Sequence, residues 1–397
     1  MMKIGCLSGD YANRRNIIGK VSGLEYVQIQ DVNALTARVL SLVNRKLLDA
    51  HFFKTINLTY SYSGYLPNSA DILHFFNIVS FGNTPWVTTF ETILPRFEKT
   101  LSCHHGISCG YSSLASETNI LKAIIALASK SCKNIIAMSQ CNLNMQLDLI
   151  QQFPDYCQDI ESKLICLHPP QKILLDNYNN KQTKLDGPIH FIFIGGAFFT
   201  KGGMEILETF CELKNVKKLD LKLTIVSSMV LDDYATKKSS SDVAAAMNVI
   251  RSNGDWIQYY ESLCNDKVLD LMKSAHVGLL PTYADTYGYS VLELQASGCP
   301  VISTNVRALP EINNSNVGWI IEVPKNSLGE AIYTTQDSRD RMSLLIKAGL
   351  MAAIEEIMNN KEIIVQKANA ALRRINLSHS PERYAEQLYE IYARSLQ

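Results

Sequence analysis

Apolar and polar positions along this chain fall into two successive rounds of short buried strands and amphipathic helices. In the first round, residues 1–10 begin with an apolar run that ends in a glycine loop. Residues 71–75, 86–90, 134–139 and 163–167 are runs of the length and β-branched or aromatic character of strands. Between them, Val32, Leu35, Val39, Leu42, Val43 and Leu47 recur at helical spacing across 31–50, and 120–128 is a second helical stretch. Strands that alternate with helices predict a parallel sheet covered on both faces.

The polar stretch 174–188 predicts a linker. After it the alternation restarts: strands at 189–194, 221–226, 256–260 and 276–280, with helices at 203–213 and 267–274. A helix at 289–297 and a strand at 301–303 follow. Residues 230–250 carry no clear period, and 237–241 read as a loop. The tail is helical: 340–375 holds two apolar-periodic stretches. Ser380 and Pro381 then open a last helix with Tyr384, Leu388, Ile391 and Tyr392 on one side. The expected organisation is a first domain 1–180, a second domain 181–377, and a terminal helix 378–397 packing back on the first domain.

Composition narrows the picture modestly. The chain has 397 residues, 47% of them hydrophobic and 19% charged, enough for two ordinary cores. Its net charge is zero, but residues 1–185 carry 17 Lys and Arg against 13 Asp and Glu. A mildly basic first half suits an anionic acceptor or a membrane surface, and equally a plain solvated surface. Nothing in the charge pattern indicates a nucleic-acid partner. Ten scattered cysteines without a CxxC pair suggest reduced usage. No signal-like segment precedes the first strand, and no apolar run nears the roughly 18 residues of a membrane span. The expectation is a cytoplasmic protein, at most peripheral at the inner membrane face.

The chemistry concentrates after the strand at 276–280. Ligands of open α/β sheets bind beyond the carboxyl ends of strands. There Asp285 lies in a loop, Tyr287 and Gly288 turn it, and Tyr289, Ser290 and Val291 start a helix whose amino end suits a diphosphate. Glu293 stands one turn inside, placed for ribose hydroxyls. A second element runs from strand 189–194 through Gly195 and Gly196 to Lys201, Gly202 and Gly203. It is neither a Walker loop nor GxGxxG, but glycines admit an anion and Lys201 reaches it as a point charge. A third element is the glycine-flanked first loop, Ser8-Gly9-Asp10 through Gly23, which can close over a ligand.

These residues resemble the retaining glycosyltransferase family 4. Asp285 through Glu293 lies on that family's E-x7-E segment, with Asp285 where Glu is usual. Ala296-Ser297-Gly298-Cys299-Pro300-Val301-Ile302 and Leu309-Pro310-Glu311-Ile312 continue the pattern. Lys201 matches the donor-phosphate lysine, but the arginine that often accompanies it is absent, since Thr200 and Ala197 stand nearby. Trp256 to Leu263 resembles the segment that passes the nucleotide base, and the resemblance implies that backbone groups near Tyr260, Glu261 and Ser262 read the base edge. In the first domain the likeness is looser: Met138-Ser139 fits a strand end, His168-Pro169-Pro170 replaces a Pro-Asn-Gly turn, and Thr89-Phe90-Glu91-Thr92 stands where a donor-sugar histidine is common.

The resemblance implies an α/β protein of the GT-B fold, two Rossmann-like domains with parallel sheets facing across a cleft. It implies transfer of a sugar, with retention, from a nucleotide diphosphate sugar (UDP favoured over GDP) to a hydroxyl of a glycan or lipid-linked acceptor in bacterial polysaccharide or lipopolysaccharide synthesis. Lys201, Asp285 and Glu293 would be the catalytic set, with no metal or other cofactor. The alternatives are a GT-B nucleotide-sugar epimerase and a catalytically silent scaffold. Cys103, His104, His105 and Cys109 have poor zinc-ligand spacing. Arg14 and Arg15 suit a solvated surface or an anionic acceptor, and 122–133 reads as an apolar helix carrying lysines, packed on the core or in contact with a membrane.

Overall fold

A computed structural model describes residues 1–7, 9–48, 54–103, 111–181 and 183–397. Most of the Cys103–Cys109 cluster, and Ser8 of the first loop, lie outside the described residues. The chain folds as two compact units, one made of 1–170 with 381–397 and the other of 171–380.

The first unit contains β1 (Lys3–Cys6), β2 (Glu25–Gln28), β3 (Ser61–Tyr62), β4 (Ile72–Phe76), β5 (Val79–Ser80), β6 (Trp86–Phe90), β7 (Cys132–Ala137) and β8 (Leu164–Cys166). Six of them form a parallel sheet in the order β2-β1-β4-β6-β7-β8, while β3 and β5 pair apart. Every residue of β4 and β6 is buried, as in central strands covered on both faces. The edge strand β2 has no buried residue, two half-buried ones lying between two exposed ones, which is why no apolar run announced it.

Two expectations need correction here. The first loop is not continuous loop: residues Tyr11–Asn16 are helical because the Asp10 carboxylate accepts the Asn13 N–H at 2.9 Å and caps them. The helix Val32–Val43 exists, but Val32, Leu35, Val39 and Leu42 of its expected core stripe are exposed. Its buried residue is Ala37. The period was right and the inward face was not, because small side chains carry that face.

The terminal helix Pro381–Ser395 belongs to this unit and buries Tyr384, Leu388, Ile391 and Tyr392. The Tyr384 hydroxyl donates to Asn16 O at 2.7 Å. The Tyr392 hydroxyl lies 2.7 Å from His74 Nδ1, and His74 Nε2 lies 2.9 Å from Thr89 Oγ1. Burial pushes the His74 imidazole down to about 3, so it is neutral in the fold. An unfolded histidine titrates near 6.5, so between these values the unfolded chain binds the extra proton. Stability contributed by neutral His74 is therefore complete above about pH 6.5 and falls as the pH drops toward 3. We predict a loss of roughly 3 kcal/mol by pH 4 from this residue. Urea titrations of wild type and His74→Asn across pH 4–7 measure it; equal acid slopes in the two proteins would count against it.

The second unit contains β9 (Ile189–Ile194), β10 (Leu221–Val226), β11 (Ile257–Tyr260), β12 (Val277–Leu280), β13 (Val301–Thr304) and β14 (Gly318–Ile321). All pair in parallel, in the order β11-β10-β9-β12-β13-β14. The winding reverses between β9 and β12, so this unit has its topological switch point there.

The stretch 174–188 begins within this unit rather than as a free linker. The N–H groups of Leu174 and Leu175 donate to Ala296 O, and Lys181 Nζ donates to Ser297 O at 2.9 Å and Gly298 O at 3.1 Å. These carbonyls end the helix Tyr289–Ala296 and have no partner within it. Residues 237–241 are also not all loop. Ser239 and Asp242 form a reciprocal capping box that opens the helix Ser240–Ser252. Among the described residues no helix is long and apolar enough to cross a membrane.

Candidate functional site

Two loops leave the carboxyl ends of β9 and β12 on either side of the switch point. The first is Gly195 to Gly202. Ser227 Oγ donates to Gly195 O at 2.5 Å, and Phe198 N donates to Ser228 O at 3.0 Å, so the loop is fastened to the end of β10. Phe198 and Phe199 are buried beneath it. The chain then turns through Gly202 at φ +81° into the helix Gly203–Asn215. The second loop runs from Pro281 to Gly288. Tyr283 N donates to Thr200 O at 2.9 Å and Thr282 Oγ1 donates to the same oxygen at 3.1 Å. Backbone and hydroxyl bonds thus hold the two loops together.

Their meeting brings Lys201 to Asp285. Lys201 Nζ lies 2.6 Å from Asp285 Oδ2 and donates also to Ala284 O at 2.8 Å. The two side chains are only 19% and 15% exposed. Asp285 Oδ1 accepts the Tyr287 N–H at 3.1 Å. Burial by itself raises the Asp285 carboxyl. The Lys201 ammonium, its hydrogen bond, the Tyr287 N–H and the field of Arg307 outweigh that and hold it below the ordinary carboxylate value. The carboxylate is ionised at neutral pH, and the lysine head is presented at the mouth of the switch point.

The helix Tyr289–Ala296 starts at Gly288, where φ is +94° and an added Cβ would meet Leu309 Cδ2 at 2.6 Å. Only glycine allows this close approach at a left-handed position. First-turn N–H groups of a helix lack intrahelical acceptors and favour an anion. Tyr289 and Ser290 are half-buried in that first turn, and Glu293 is half-buried a turn further on. Tyr287 and Val291 are fully buried, so they offer a ligand only backbone groups. Gly196 has open space around its Cα, whereas a Cβ on Gly195 would press on Lys201.

Within the second unit, Tyr260 and Ser262 stand apart from this group. Tyr260 ends β11, the edge strand two places from β9, about 10 Å across the sheet, and Ser262 is exposed beyond it. Gly9 lies in the other unit, in an exposed segment with nothing near its Cα. Glu91 is also in the first unit, ion-paired to Arg96 at 3.0 Å.

Three neighbours were not foreseen. Arg307 follows β13 at φ +45° and pairs through Nε with Glu330 Oε1 at 2.6 Å, both side chains buried. Asp232 accepts from Thr200 Oγ1 at 2.8 Å and from the N–H groups of Ala235 and Thr236. It fixes the residue before Lys201. A left-handed arginine and a loop aspartate leave no periodic trace in a sequence.

Lysine, carboxylates and a helix amino end stand at the switch point of a doubly wound sheet, an arrangement chemically able to hold a phosphorylated, hydroxyl-rich ligand. Residues 176–349 match the family model of glycosyl transferases group 1. The matched segment includes Lys201, Asp285 and Glu293. A D-inositol 3-phosphate glycosyltransferase of Arthrobacter sp. (strain FB24) is 26% identical over 208 residues, 49% of this chain and 47% of that protein. The chain thus spans about half the length of this curated relative. A glycosyltransferase from Rickettsia africae ESF-5 has a solved structure with a TM-score of 0.58 at 13% identity, over 100% of this chain and 99% of that one. The Anabaena protein Alr3699/HepE, solved in complex with UDP, gives 0.56 at 12% identity over 99% and 100%. At such identities the likeness is one of fold, and the fold is GT-B: α/β throughout, with one six-stranded parallel sheet in each unit.

Proposed function

We propose that the second unit binds a nucleotide diphosphate sugar, UDP-linked in preference to GDP-linked, and that the protein transfers the sugar with retention to a hydroxyl of a glycan or lipid-linked acceptor. The meeting of Lys201 and Asp285 at the switch point, beside the amino end of the helix Tyr289–Ala296, carries this reading. Its support among known proteins is the family match over 176–349.

In this scheme the diphosphate takes Lys201 from Asp285. The ammonium and the helix amino end then stabilise the negative charge that grows on the leaving diphosphate, where such stabilisation has its largest effect. Asp285, released, accepts from donor-sugar hydroxyls, and Glu293 accepts from the ribose. The leaving phosphate assists deprotonation of the acceptor on the same face. No protein nucleophile and no metal take part in these steps.

Titration with UDP, GDP and a panel of their sugars tests the donor half. At a hundredfold excess over Kd, a ligand that binds only the folded state adds about 2.7 kcal/mol. We expect a UDP-sugar to raise the melting temperature and Glu293→Gln to raise its KM by at least about tenfold, with a smaller effect on kcat. Absence of stabilisation by every nucleotide sugar, or an unchanged KM in Glu293→Gln, would overturn the assignment.

A further inference from the structure

The first unit has its own switch point, between β1 and β4, and a cavity of about 820 Å³ opens there. Leu7 follows β1, Asn77 and Ile78 follow β4, and Glu91 follows β6, so the floor is made by the carboxyl ends of three adjacent strands. That is where ligands of doubly wound sheets bind. Asn77 sits at φ +61°, a turn that faces its amide to Glu91. Its Nδ2 donates to Glu91 Oε1 at 3.2 Å, and its Oδ1 accepts the Glu91 N–H at 3.1 Å. Arg96 neutralises Glu91, and Asp10 caps the neighbouring helix. The floor therefore presents fixed carboxylate and amide groups that accept from hydroxyls without an excess of negative charge.

One wall is the helix Val32–Val43. Ala34, Ala37, Arg38 and Ser41, at helical spacing, line the cavity, and Arg45 lines it one turn further on. Alanines leave the room, and the two arginines stand at the exposed rim, about 10 Å apart along the axis. Neither makes an ion pair among the described residues. A guanidinium fork matches phosphate oxygens in pairs.

We propose that this cavity binds a phosphorylated polyol, hydroxyls toward Asp10, Asn77 and Glu91 and the phosphate against Arg38 and Arg45. As the acceptor site of a sugar transferase, it rests on the reading given above; as a binding site it stands on this geometry alone. The phosphate belongs either to a free sugar phosphate or to a phospholipid headgroup.

The test uses the full chain saturated with UDP, so that Lys201 is occupied. Calorimetric titrations compare glucose 6-phosphate with glucose, and sedimentation compares phosphatidylcholine vesicles with and without phosphatidylglycerol. Arg38→Gln/Arg45→Gln is the variant; both side chains are exposed, and an unchanged melting temperature verifies its fold. We expect glucose 6-phosphate to bind at least about tenfold tighter than glucose, and the variant to lose that margin. Alternatively, phosphatidylglycerol-dependent sedimentation, lost in the variant, supports the same site with a headgroup as its source. Equal binding of glucose and glucose 6-phosphate with no vesicle binding, or phosphate-dependent binding that the variant retains, overturns the proposal. UDP titration separates the two readings: if UDP binds and the phosphate probes do not, the cavity assignment fails alone.

Discussion

Replacing Lys201 with alanine is expected to lower kcat for sugar transfer by about a thousandfold, and to do so in a protein that still folds. The reasoning starts from what else is available to the leaving diphosphate. Thr200 and Ala197 stand where a second cation would be useful, and Arg307 is committed to Glu330 at 2.6 Å. Without the lysine, the loop and helix N–H groups carry most of the task of meeting the developing charge. The same change has a second effect that identifies the cause. Asp285 is 15% exposed, and Lys201 is the chief reason its carboxyl titrates below the ordinary value. With the ammonium gone, burial dominates and its pKa rises above that of the unfolded chain. The pair's contribution is present above the unfolded value near 3.9 and fades as the pH falls through the lower folded value. The variant's deficit is therefore greatest at neutral pH and shrinks in acid. Removing one partner of a buried pair costs about 3–5 kcal/mol; the partial exposure here brings the expectation to about 2 kcal/mol at pH 7. Lys201→Ala/Asp285→Asn should regain most of that stability and none of the activity. Melting curves at pH 4 and pH 7, with coupled detection of released UDP, decide the matter. Undiminished turnover in Lys201→Ala would end the proposed role, and a pH-independent deficit would show that Asp285 does not depend on the lysine.

The residues on which this rests were legible because each breaks a pattern. Gly288 interrupts the apolar alternation with a left-handed turn, and Lys201 stands between glycines at a strand end. Asp285 and Glu293 bracket one of the two places in the second unit where strand, glycine loop and helix follow closely, the other being the segment that carries Lys201. Strands at the centre of each sheet were legible for the same physical reason: burial on both faces favours a largely apolar run, as in β4, β6 and β9, whose few polar members are buried as well. Edge strands escape that demand, and β2 went unread. The helix Val32–Val43 shows the converse failure. Its strongest apolar period is exposed, while Ala34, Ala37 and Ser41 line a cavity together with Arg38 and with Leu42 of that same period. Periodicity reports that a helix has two faces, and the size of the side chains decides which one can turn toward an open space. Arg307 and Asp232 were beyond reach because their placement depends on single backbone angles and loop hydrogen bonds that leave no repeat in the sequence.

The second large effect is expected at Gly202, where alanine should cost about 3–4 kcal/mol and disconnect the site. At φ +81° an alanine there pays about 1–2 kcal/mol of left-handed strain on its own. The larger part is steric. A Cβ would lie 2.2 Å from Pro281 O and 3.0 Å from Pro281 C, so the obstacle is the backbone of the second loop rather than a movable side-chain tip. That loop is held in place by the bonds from Tyr283 N and Thr282 Oγ1 to Thr200 O, two residues before the glycine. Relief therefore requires those bonds to part, and the same movement draws Lys201 away from Asp285. Gly196 provides the control within one loop: no heavy atom lies within 4 Å of a Cβ built there. Gly196→Ala should change stability by less than about 0.5 kcal/mol. Urea unfolding of the two variants, together with UDP titration below their melting temperatures, gives the comparison. We expect Gly202→Ala to lose UDP affinity even where it is fully folded, since the loops meet only if nothing occupies the space beneath Pro281. Equal stability of the two variants would mean that the loops have room to part without disturbing the fold, and the rigid meeting of Lys201 and Asp285 would no longer account for the site.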